Sequence, residues 1–217
     1  EIKVALSGVS TLGALKNLEA EASGRTFDEL TIQAGEKWNK ELSVIEAHGD
    51  KDKLTMLYTS LYHTLINPSV YADVDGQYRG VDQAVHQTKD FMNYTVFSVW
   101  DTYRALHPLF NIINRERNTD MVKSMIAHSQ QSVHKALPVW SHMGNENWCM
   151  IGYHAVSVLA DAIAKGTTDV DINQALEAMQ NSSNLKYYDG IGEYLKYGYV
   201  PEDKSNSSVS KTLEYAY

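Results

Sequence analysis

The chain has 217 residues, 43% of them hydrophobic and 10% aromatic, enough to bury a core as one domain or as one piece of a larger one. A net charge of -8 with a pI near 5.4, and no Lys/Arg cluster, argues against nucleic acid or an anionic membrane surface as partner and points to a neutral ligand. The single cysteine, Cys149, excludes an internal disulfide without deciding the compartment, and no run of about 18 apolar residues offers a membrane span.

The chain starts at Glu1 without a methionine or a signal-peptide pattern, so it reads as a mature product or a fragment. Ile2, Val4 and Leu6 alternate with polar residues and predict a short strand. Thr26 and Glu29 then have the spacing of a capping box, and Phe27, Leu30, Ala34, Trp38, Leu42 and Ile45 follow at helical steps. Leu54, Leu57, Leu61 and Leu65 mark a second helix, which Asn67 and Pro68 stop. Further helices are expected at roughly 96–114, with a break or kink at Pro108, and at roughly 119–134, 148–165 and 171–180. With no βαβ rhythm and no hairpin dipeptide, the fold class is all-α, about six or seven helices in antiparallel pairs.

Three irregular stretches carry more chemistry than linkers usually do. The first, "YADVDGQYRGVD", opens like a calcium loop at Asp73 and Asp75, but an EF-hand would need glycine where Tyr78 stands and glutamate where Ala84 stands. An Asx-type turn capping the preceding helix is the plainer alternative. The histidines lack metal-ligand spacing, and no G-x-S-x-G, P-loop or G-x-G-x-x-G is present.

What remains suits a sugar, whose hydroxyls are bound by carboxylates and guanidinium and whose apolar face is covered by Trp or Tyr. Such residues cluster three times: Asp73, Asp75, Tyr78 and Arg79; Trp100, Asp101, Tyr103 and Arg104; Trp140, Asn145, Glu146 and Trp148. Asp101 and Arg104 would also share a helix face, so a simple intrahelical ion pair competes with a binding role for them.

The runs "LYTSLYHTLINPSVYADVDGQYRG", "YTVFSVWDTYRALHPL", "LPVWSHMGNENWCMIGYHAVSVLADAIAKG" and "SVSKTLEYAY", in that order, resemble glycoside hydrolase family 92, the calcium-dependent exo-acting α-mannosidases. The opening strand and "TLGALKNLEAE" resemble the end of that family's N-terminal β-sandwich and its linker helices, which divides the chain into 1–50 and the front part, 51–217, of an incomplete (α/α)6 catalytic toroid. The resemblance implies hydrolysis of terminal α-mannosides, often α-1,2-linked, with inversion, as in N-glycan degradation. Inversion needs an acid and a base about 6.5–9.5 Å apart across the anomeric carbon.

In that family the general acid, the calcium ligands and the base lie in later motifs of the TEGNAWQ, HGNEPSHH and GNxDxGQ type. None of these occurs here, so no catalytic or metal-ligating residue is assigned and those groups are expected downstream of Tyr217. The implied sugar-binding residues are Asp75, Trp100, Asp101, Arg104, Asn145 and Glu146, with Asp73 and Arg79 as weaker candidates and Asn145 and Glu146 on the rim. Calcium would serve the parent enzyme. The implied partners are mannose-containing glycans and the remainder of the polypeptide, and the implied setting is the periplasm, the cell surface or the medium. A non-catalytic glycan-binding or scaffold helical domain is the alternative.

Overall fold

The computed structural model describes residues 2–88 and 90–217. Side chains of the sequence start the first three helices. Ser10 accepts the Gly13 amide ahead of α1 (Thr11–Ala22), Thr26 and Glu29 form the expected capping box ahead of α2 (Phe27–Leu42), and Asp50 accepts the Asp52 and Lys53 amides ahead of α3 (Lys51–Thr64). After α3 the chain turns through short antiparallel pairs: β1 (Ser69–Val70) with β4 (Tyr94–Thr95), and β2 (Gln77–Arg79) with β3 (Val85–Gln87).

Strand β5 (Phe97–Ser98) runs into α4 (Val99–Thr102), and α5 (Leu106–Ile113) and α6 (Arg115–Gln131) follow. Strands β6 (Trp140–His142) and β7 (Asn145–Glu146) join β5 in a three-stranded antiparallel sheet. The chain continues through α7 (Ala155–Ala164), α8 (Ile172–Ser183), α9 (Ile191–Tyr197) and α10 (Ser208–Ala216). Helices α5 to α8 pack together around Phe110, Met121, Val122, Met125, Val158, Leu159, Ala162, Ala175 and Ala178. A smaller core of Ala136, Leu185, Ile191, Val200 and Tyr215 ties α9 and α10 to the β6 approach.

Several expectations need correction. Residues 2–10 form no strand: Ile2, Val4 and Leu6 are 90%, 78% and 83% exposed, and alternation alone makes no strand without a partner to hydrogen-bond. Ten helices are present among the described residues, not six or seven, because several are only one or two turns long. The helix expected over 96–114 is divided at residues 103–105, between α4 and α5, not at Pro108. Pro108 is the third residue of α5, where a first-turn amide has no intrahelical acceptor to lose. The helix expected from 148 starts only at Ala155, since 145–154 is used by β7 and turns.

Two core histidines make the fold acid-sensitive. His107 is fully buried, with Nδ1 2.8 Å from Asn118 Oδ1 and no partner for Nε2, and burial pushes its pKa down to about 4; burial does the same for His128. The unfolded chain therefore takes up protons first as pH falls, so stability is full above about pH 6.5 and declines towards pH 4. Between pH 6.5 and 5 His107 withdraws stability on the order of 1–2 kcal/mol, read as a falling urea midpoint. His107→Gln should flatten that slope; an unchanged slope would refute the assignment.

Candidate functional site

The site residues are brought together by the β5–β6–β7 sheet. Its β6–β7 hairpin closes through a two-residue loop, Met143 (φ 46) and Gly144 (φ 76), the positive-φ pair of a type I′ turn. Gly144 is also required by crowding, because a Cβ there would lie 3.2 Å from the carbonyl oxygens of Arg79 and Gly80. The sequence offers no hairpin dipeptide here, because methionine in the first turn position is not a recognisable hairpin signal. Register sets Ser98 opposite Trp140 and Ser141 opposite Glu146, so the second and third sequence clusters become neighbours.

Glu146 lies on β7, an edge strand of this sheet, with its side chain turned inward to the protein. Its Oε1 accepts the Trp140 and Trp148 amides at 2.8 and 2.9 Å, its Oε2 accepts the Val139 amide at 2.9 Å, and His128 Nε2 stands 3.5 Å from Oε2. Its side chain is only 9% exposed. Burial raises the Glu146 pKa, against the lowering by its backbone donors. Asn145 is exposed, its Nδ2 donating to the Met143 carbonyl at 3.4 Å.

The "VWDTYR" residues do not form the intrahelical pair. Helix α4 ends at Thr102, so Arg104 lies beyond it and the i, i+3 geometry is lost. Asp101 is exposed and accepts from Ser98 Oγ. The Arg104 guanidinium lies over the rings of Trp100 and Tyr103, 4.7 and 5.0 Å from their centroids, and 3.5 Å from Glu214 Oε1 of α10. Trp100 Nε1 donates to the same Glu214 oxygen at 3.3 Å. The buried His154 stacks on Tyr103 at 3.9 Å and 4°, and its Nε2 lies 2.5 Å from Glu214 Oε2, off the line of a well-directed hydrogen bond. Tyr103 itself is buried, 7% exposed, so what the surface presents is the half-buried Trp100 ring, the Arg104 guanidinium and the Asp101 carboxylate, a set of groups that can bind a polyol.

The first cluster serves the N-terminal segment instead. Asp73 is buried and accepts from Ser7 Oγ at 2.7 Å and Asn17 Nδ2 at 2.9 Å, while Arg79 donates to the carbonyls of Gly8, Val9 and Gln83. Asp75 pairs with Lys16 at 2.8 Å, which holds its carboxyl below the usual range, and its Oδ1 accepts the Gln77 amide at 3.2 Å. That is the Asx turn of the sequence reading, but it leads into β2 and caps no helix. Among the described residues no group of three His, Cys, Asp or Glu side chains is placed to hold a metal ion. Sequence reasoning missed Glu214 and His154 as members of the array; both sit inside quoted family-like runs, but no local spacing ties them to Arg104.

A family model described as the glycosyl hydrolase family 92 catalytic domain matches residues 13–217. The chain belongs to glycosyl hydrolase family 92. Among solved structures, this family 92 chain is similar to a family GH92 α-mannosidase from Bacteroides thetaiotaomicron, with 50% identity and a TM-score of 0.93 over 97% of this chain. That protein has also been solved in complex with mannoimidazole, with the same similarity to this chain. A second Bacteroides thetaiotaomicron protein, described as a family GH92 inverting mannosidase, is 34% identical with a TM-score of 0.90 over 97% of this chain. The chain spans 28% and 30% of the lengths of these two proteins. No curated protein matches.

Proposed function

We propose that this family 92 chain is the front part of the catalytic domain of an exo-acting α-mannosidase that removes terminal mannose from glycans, with α-1,2 linkages as the expected substrates and inversion as the outcome. The observation that carries this is the 50% identity, over 97% of the chain, to a protein described as an α-mannosidase. The description of a 34% identical relative as an inverting mannosidase supports the stereochemistry. In this reading α3 to α10 are part of an (α/α)6 toroid completed by the rest of the polypeptide, and residues 1–50, with α1 and α2, link it to a preceding sandwich. Asp101 and Arg104 bind sugar hydroxyls, and Trp100 lines the sugar's apolar side with the buried Tyr103 packed beneath.

Calcium, which the family resemblance implies, does not fit the donors of this chain. It takes six to eight oxygen ligands, and no three of the described residues' His, Cys, Asp or Glu side chains converge on one point. We therefore assign no step to it here and place its ligands, with the general acid and base, in the remainder of the enzyme. We place the enzyme in the periplasm, on the cell surface or in the medium, to be checked by cell fractionation.

The test is direct. The full-length protein should hydrolyse an aryl α-mannoside, lose the activity in EDTA and regain it with calcium. The 217-residue chain should show no turnover, since a positioned acid and base each contribute on the order of 10² to 10⁴ in rate. Calcium-dependent turnover by the chain alone would place the catalytic carboxylates within it and overturn this division. A full-length protein that binds mannose without cleaving it would make this a glycan-binding domain.

A further inference from the structure

One carboxylate collects the residues of "VWDTYR" from the far end of the chain. Glu214 Oε1 receives Trp100 Nε1 at 3.3 Å and stands 3.5 Å from the Arg104 guanidinium, while Glu214 Oε2 meets His154 at 2.5 Å. His154 in turn lies flat under Tyr103, whose ring also meets the edge of Tyr217 at 5.2 Å. Every ring and cation of the array is thus held, directly or through one neighbour, by α10 and the start of α7.

An arginine side chain has many rotamers, and leaving it unheld makes sugar binding bear the entropy of ordering it. Arg104 is half-exposed, so burial does not hold it; the Glu214 carboxylate and the two rings beneath it do. We propose that Glu214, braced by His154, is a positioning residue of the sugar site, holding Arg104 and Trp100 in the orientation that binds substrate. The proposal rests on the α-mannosidase reading above.

The experiment is a thermodynamic cycle in the full-length enzyme with an aryl α-mannoside, measuring kcat and KM together with melting temperature. Glu214→Gln keeps an acceptor for Trp100 but loses the charge facing Arg104 and His154. It should lower kcat/KM by about tenfold, mainly through KM. In an Arg104→Ala background the same substitution should change kcat/KM by less than about twofold, because no guanidinium is left to position. A merely structural role would act equally in both backgrounds, and that additivity would overturn the proposal. So would wild-type kcat/KM in folded Glu214→Gln, or failure of both Glu214→Gln and Glu214→Asp to fold. If the unsubstituted enzyme does not cleave α-mannosides at all, it is the functional reading that fails.

Discussion

Asp101→Ala and Arg104→Ala, each made in the full-length enzyme, lower kcat/KM on α-mannosides by about tenfold or more and leave thermal stability close to that of the unsubstituted protein. The magnitude follows from losing charged hydrogen bonds of roughly 1.5–3 kcal/mol each at the transition state. The small stability effect follows from position. Asp101 is exposed, and the Arg104 side chain is 50% exposed, so its pairing with Glu214 orients the guanidinium while adding little to folding stability. The competing explanation, a stabilising pair between the two, has lost its geometry: Asp101 accepts from Ser98, and the carboxylate facing Arg104 is Glu214. Steady-state kinetics with thermal unfolding of the same samples decides. Variants that melt early yet keep full activity when folded would return both residues to the scaffold.

Glu146→Ala destabilises the protein by about 3–5 kcal/mol, the scale on which a buried, hydrogen-bonded charge network fails when one partner is removed. Three backbone amides, of Val139, Trp140 and Trp148, aim at its two oxygens, and a methyl group accepts none of them. Glu146→Gln keeps one acceptor oxygen and should lose roughly half as much. Urea unfolding reads both. An unaltered midpoint for Glu146→Ala, together with weakened sugar binding, would favour the rim role that the family resemblance implies.

Local physics made much of this chain legible in advance. A capping box needs only Thr26 and Glu29 three residues apart, and a helix closes its hydrogen bonds within one turn, so α2, α3 and α6 to α8 are recognisable from periodicity with shifted ends. The clustering of aromatic and charged residues at 100–104 pointed to a polyol, and the quoted runs pointed to the family to which the chain belongs.

The rest depends on partners distant in sequence. No spacing reveals that Arg104 faces a carboxylate 110 residues later, that Glu146 is turned inward to three amides, or that Asp73 and Arg79 hold the segment before α1. The apparent strand at Ile2, Val4 and Leu6 failed for the same reason, since alternation describes one side of a pairing whose other side must come from elsewhere. Helix identity is settled by bonds between residues four apart, whereas the partner of a polar side chain is settled by which elements the core packs together, and only the folded chain contains that information.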